Sequence, residues 1–174
     1  MKIYLLISLT LLMFLGCHEI KVGFLVVDEA SYNPDSLVVR TKLDTASGIF
    51  NPEFQKWLDF GYNYIYIRDS LHINERIDYG NDYEWAVLKG KSWISTPIEG
   101  VQGTRPIYIE IKDIRSEDGD AGMMKRELKV RADGTFLLPT FVRSSVGRYV
   151  VSLRFYNEGY SKERDNVFTV IVKE

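Results

Sequence analysis

Cysteine is almost absent from this chain: Cys17 is the only one in 174 residues. A lone cysteine closes no intrachain disulfide, so the fold has to be held by burial alone. Histidine is nearly as scarce, with His18 and His72 only, which excludes a zinc site built on several His or Cys ligands. The Gly-x-Ser-x-Gly elbow, the His-Glu-x-x-His helix and the phosphate-cradling glycine loop are all missing. His72 alone is a poor candidate for a general base, since isolated histidines are usually surface or core residues. There is no basic excess either. Lys and Arg number 22 against 24 Asp and Glu, a formal charge of −2, which gives no support for nucleic-acid binding. No apolar run reaches the roughly 20 residues of a membrane-crossing helix, and no Ser/Gly/Pro linker or internal repeat is visible.

What is present begins at the N-terminus. Lys2 supplies a small positive region, Ile3 to Leu15 form a short apolar stretch, and Gly16 is the small residue before Cys17. This pattern resembles the lipobox of bacterial lipoproteins. The resemblance implies removal of a signal peptide, residues 1–16, and acylation of Cys17, with Phe14 standing where Leu is usual. A buried methylene is worth roughly 0.8 kcal/mol, so several acyl chains hold a protein almost permanently. The leader holds one base and no acid, leaving a mature charge of about −3. About four residues separate Cys17 from the first expected strand, a reach of roughly 13–14 Å at full extension, so the body rides close to the membrane.

Strand patterns dominate from Ile20 onward. Lys21 to Val27 is uniformly apolar enough to be a strand covered on both sides, and Leu37, Val39 and Leu43 alternate with Arg40 and Lys42 across a turn at Asn33-Pro34-Asp35-Ser36. One short helix is expected, with Asn51 as cap, Pro52 at the first position and Gly61 at the end; Phe54, Trp57 and Leu58 share its apolar face. Trp57 is therefore expected in the core. Ile107, Ile109 and Ile111 alternate with Tyr108, Glu110 and Lys112; Tyr149, Val151, Leu153 and Phe155 alternate with outward Val150, Ser152 and Arg154; and Phe168, Val170 and Val172 end the chain. Asp133-Gly134 predicts a two-residue hairpin loop pairing Val130 with Leu137. The sum is an all-β, antiparallel sandwich.

Gly147-Arg148-Tyr149 opening one strand, the Asn157-Glu158-Gly159-Tyr160 loop and the apolar strand from Val167 to Val172 resemble the closing strands of bacterial immunoglobulin-like domains. The likeness implies an immunoglobulin-like β-sandwich over residues 93–174, packed on an N-terminal β-rich region, residues 17–92. It also implies that Tyr149 bonds the backbone at a corner between strands. Lipobox, aromatic body and this C-terminal half together resemble small Bacteroidetes-type outer-membrane lipoproteins, many of which accompany glycan uptake. Cell-surface display is the implied location, with Glu19 the only acid directly after the anchor.

Two polar segments stand out. Glu117-Asp118-Gly119-Asp120 lacks the calcium-loop register, because Lys129 sits where the closing Glu belongs, and reads as a solvated turn. Asp78-Tyr79-Gly80-Asn81-Asp82-Tyr83-Glu84-Trp85, followed by Lys91-Ser92-Trp93, interleaves aromatic rings with carboxylates and amides. Such a surface suits a pyranose, whose flat face stacks on rings and whose hydroxyls bond at the edge. Tyr83, Trp85 and Val87 equally alternate as strand residues, and packing is the commoner role of such rings. Tyr83, Trp85 and Trp93 are thus the candidate carbohydrate-binding residues, Cys17 the lipid-attachment residue, and no catalytic residue, metal or cofactor is implied. The expected partners are the membrane, a glycan and an envelope protein. The expected role is a non-catalytic accessory glycan-binding or assembly module of a glycan-uptake system. The rivals are a structural or adhesive subunit pairing through a sheet edge and a glycoside hydrolase, although no two of the 24 acids are marked as a pair.

Overall fold

In the computed structural model residues 23–174 are described; the expected leader and Cys17 lie outside them. The chain is β-rich with few short helices. Its strands are β1 (Leu25–Val26), β2 (Ser36–Arg40), β3 (Ile49–Phe50), β4 (Arg76–Ile77), β5 (Trp93–Ile94), β6 (Gln102–Gly103), β7 (Tyr108–Arg115), β8 (Lys129–Val130), β9 (Phe136–Leu138), β10 (Gly147–Tyr156) and β11 (Ser161–Lys173). Helix α1 spans Pro52–Asp59 and α2 spans Ala121–Glu127.

The largest sheet has the order β2-β11-β10-β7, antiparallel except for β2, which lies parallel to β11. A second sheet runs β5-β9-β8. Both contribute to one apolar cluster, in which Val39, Tyr149, Val151, Leu153, Phe155, Phe168 and Val170 from the first meet Phe136 and Leu138 from the second. The Phe136 and Phe168 rings stack across it at 4.9 Å, and Tyr32 closes the triangle at 5.3 and 4.7 Å. The Tyr32 hydroxyl donates to the Gly134 carbonyl at 2.6 Å, and burial pushes this phenol well above its ordinary range.

Strands before residue 93 belong to this assembly. β1 pairs with β6, Ser31 bridges Glu99, and β2 pairs with β11. The sheets therefore draw strands from both sides of the boundary expected at 92/93. Residues 41–92 form an excursion between β2 and β5 with a small core of its own, centred on Phe54 and Ile67, both fully buried. Phe50 and Tyr64 pack edge-on against Phe54 at 6.0 and 5.2 Å.

Several local expectations need correction. Of the strand expected over Lys21 to Val27, residues 21–22 lie outside the described residues. Within 23–27 only Leu25–Val26 is strand, covered on one side, with Leu25 and Val27 buried while Phe24 and Val26 are exposed. Strand β2 stops at Arg40, before Leu43. Val130 pairs with Phe136 rather than Leu137. Gly134 sits at φ +80° and Arg131 N–H bonds Thr135 C=O, so the loop has three residues and slips the register by one. A second helix, α2, follows the acidic turn; the Asp120 carboxylate caps it at Met123 N, 3.0 Å. Ser152, expected outward, is 2% exposed. Opposite it β7 carries one extra residue, Lys112, and β11 also breaks register near Asn166.

The double irregularity serves the solvent face. Lys112 reaches Glu163 at 2.6 Å and Asp165 at 2.9 Å, while Arg154 bridges Glu110 and Glu163 at 3.1 Å each. Hydrogen bonds from Lys112, and for Glu163 also from Arg154, hold both carboxyls below their ordinary range. Tyr149 behaves as the corner residue: it is fully buried and its hydroxyl donates to Ser145 C=O at 2.7 Å.

Candidate functional site

Chemistry-bearing rings concentrate in the excursion 41–92. Its base is a two-stranded run in which 44–50 lies against 76–82. Ile49 pairs with Ile77, Gly80 N–H bonds Ala46 C=O, and Asp82 N–H bonds Asp44 C=O. Gly80 is required there, because a Cβ would strike the Asp44 carbonyl and carboxylate and the Ala46 amide. Asp82 is 7% exposed and fastens this base to the main sheet. One of its carboxylate oxygens takes the Arg40 guanidinium at 2.7 Å, and the other takes Asp44 N–H at 2.9 Å.

The three sequence candidates part company at this point. Tyr83, Trp85 and Val87 do not form a strand. Tyr83–Leu88 is a π-type turn, with Lys89 N–H reaching Glu84 C=O at 3.1 Å. Asp82 starts this turn by accepting from Ala86 N–H at 2.7 Å and Gly90, at φ +53°, follows its end. The alternation of rings was thus a poor guide, because a turn wound from an anchored Asp82 overrides β propensity. Trp85 meets Trp93 edge-on at 4.5 Å, and Trp93 is fixed by its indole N–H on Thr140 C=O at 3.1 Å. Both indoles are half-buried, with Trp93 packed on the main core. Tyr83 stacks instead on the exposed Tyr79, at 4.8 Å and 20°.

A larger aromatic group lies on the same excursion. Helix α1 is built as its sequence predicts: the Asn51 side chain accepts from Glu53 N–H at 3.0 Å and donates to Asn74 C=O at 2.8 Å, and Pro52 opens the first turn. Gly61, at φ +87°, ends it with Gly61 N–H on Leu58 C=O and Tyr62 N–H on Trp57 C=O. That reversal brings Tyr62 onto Trp57 at 5.2 Å and Tyr66 into a parallel stack on Tyr62 at 5.3 Å and 18°. Phe60 meets Trp57 at 6.0 Å and carries Lys56 over its face. Trp57 is therefore no core residue. It is the half-buried floor of a surface on which Phe60, Tyr62 and Tyr66 are 63%, 43% and 42% exposed.

Polar groups rim these rings. Gln55 donates to Asp59 at 2.8 Å, Asn63 caps Tyr66 N–H at 2.8 Å, and Arg68 forms a forked pair with Asp69 at 2.6 and 2.9 Å. The Arg68 hydrogen bonds hold the Asp69 carboxyl below its ordinary range, and Glu75 accepting from Tyr64 raises that phenol. The signal was in the sequence: Phe60, Tyr62, Tyr64 and Tyr66 place a ring at every second position beside Gly61.

Two grooves lie elsewhere. One, of about 840 Å³, is lined by Arg115, Glu117, Asp118, Arg148 and Asn166; the other, of about 610 Å³, by Arg126, Lys129, Phe141 and Arg143. Among the described residues no cluster of three His, Cys, Asp or Glu is placed to hold a metal, and no helix is long and apolar enough to cross a membrane. Compared with family models, curated proteins and solved structures, the chain finds no match.

Proposed function

We propose that this protein is an envelope lipoprotein anchored through Cys17, whose segment 41–92 is a non-catalytic glycan-binding surface carried on an immunoglobulin-like sandwich. The observation that carries the ligand reading is the ring group of exposed Phe60, Tyr62 and Tyr66 on half-buried Trp57, with Gln55, Asn63, Arg68 and Asp69 beside it in sequence. Flat apolar faces beside hydrogen-bonding edges are what a pyranose needs. Trp85 and Trp93 form a further ring pair, both half-buried, with less ring face free to stack. Strand order supports the sandwich: β5-β9-β8 follows the B-E-D order and β11-β10-β7 the G-F-C order, with Tyr149 at the corner.

Against the sheet-edge rival, the β7 edge carries Glu110, Lys112 and Asp113 and a bulge, the usual guards against strand addition, and the opposite edge, β2, is only five residues long. For the hydrolase rival, the displaced carboxyls Asp69, Glu84, Asp133, Glu163 and Asp165 all move downward. A general acid needs the opposite. Calorimetry against a glycan panel tests the reading. Loss of Tyr62 and Tyr66 to alanine is expected to weaken binding about tenfold or more, equivalent to roughly 1.4 kcal/mol, with smaller losses for Trp85→Ala and Trp93→Ala. Failure of the wild-type protein to bind any glycan would remove the ligand reading.

A further inference from the structure

A second aromatic group marks the opposite concern, namely which part of the body meets the membrane. Phe24, Val26, Tyr108 and Tyr156 are 53%, 40%, 50% and 37% exposed. They gather at one end of the main sheet. Tyr108 pairs with Tyr156 in register and their rings stack at 5.2 Å. Asn157, the next residue, donates its side-chain amide to the carbonyls of Phe24 and Thr104 at 3.0 Å each, and Phe24 N–H bonds the Thr104 hydroxyl at 3.2 Å. The hairpin between β10 and β11 is thus tied to the point where the described chain begins.

We infer that this end of the sheet, formed by Phe24, Tyr108 and Tyr156, lies against the lipid surface. The inference rests on acylation of Cys17 as proposed above. Six peptide units join Cys17 to Gly23, at most roughly 20–22 Å of chain, so no other part of the body is held so near the acyl chains. Tyrosine and phenylalanine suit the headgroup boundary, where a ring is partly apolar and a phenol stays wet. Arg105 and Lys162 flank the same end and Glu158 lies in its hairpin loop, a slight basic excess that an anionic leaflet accommodates. The far end of β7, at Arg115, is about 24 Å away along the strand.

The test uses the full lipidated protein in vesicles of phosphatidylethanolamine and phosphatidylglycerol. With Cys17 consumed by lipid, Tyr108→Cys, Tyr156→Cys and Glu117→Cys each provide one thiol for an environment-sensitive fluorophore. Brominated lipids are expected to quench the labels at 108 and 156 at least threefold more than the label at 117. Equal quenching at all three sites, on protein shown by mass spectrometry to be acylated, overturns the inference and leaves the anchor intact. An unmodified Cys17 removes the anchor and the inference with it. Either labelled tyrosine variant suffices if the other fails to fold.

Discussion

Replacing Asp82 by asparagine asks how firmly the ring-bearing excursion is fixed. The carboxylate is almost fully buried and makes two charge-assisted contacts, to the Arg40 guanidinium at 2.7 Å and to Asp44 N–H at 2.9 Å. A hydrogen bond to a charged group is worth roughly 1.5–3 kcal/mol, and two would sum to more. Arg40, however, is about half exposed, with 47% of its side chain accessible, so water screens that arm and the carboxamide still accepts one bond. A net loss of about 2 kcal/mol follows, or roughly a 30-fold change in an opening equilibrium. The loss should be local, because Asp82 belongs to the excursion while the main core lies elsewhere. Native-state hydrogen exchange should show protection of amides in 83–88 falling about 30-fold, with the amides of β10 and β11 unchanged. A fall under about threefold would refute the claim that this carboxylate holds the segment. A uniform loss across β10 would refute the claim that the excursion opens separately.

Other substitutions probe the framework. Gly119→Ala should cost about 1–3 kcal/mol in urea unfolding, because the new methyl runs into the Tyr149 hydroxyl and ring; wild-type stability would mean the corner is soft. Tyr32→Phe keeps the ring stack and orphans the Gly134 carbonyl, so a loss of about 1–2 kcal/mol and a Tm drop of roughly 2–8 °C are expected. An unchanged Tm would refute it. For pH, Glu163 and Asp165 titrate below their ordinary values, so their contribution is present above about pH 4 and is lost as pH falls through the lowered values. Lys112→Met should flatten the acid side of a Tm–pH profile, and parallel profiles for the two proteins would contradict the assignment.

Much of the architecture was legible because its signals are local and redundant. Alternation in 149–155 and 168–172 found β10 and β11, and Asn51, Pro52 and Gly61 bracketed α1. Other features depend on partners distant in sequence. Nothing near Ser36 says that β2 will lie beside β11, and nothing near Ser152 announces irregularities in two neighbouring strands. The site was only half legible for a related reason. Ring alternation in Tyr83–Val87 is compatible with a strand, and the turn it became is set by the Asp44 and Arg40 contacts of Asp82. Trp57 fits the buried face of α1 until Gly61 reverses the chain and places Tyr62 over it. Helical phase alone carries no information about that fold-back.

The parallel pairing of β2 with β11 has a consequence for biogenesis. Among the described residues β2 pairs within its sheet with β11 alone, so Ser36–Arg40 waits for a partner made more than a hundred residues later. A chain emerging N-terminus first, from a ribosome or an export channel, cannot zip this sheet as it arrives. Assembly is deferred until the closing strand is delivered, and that interval is when a holding chaperone would be most needed.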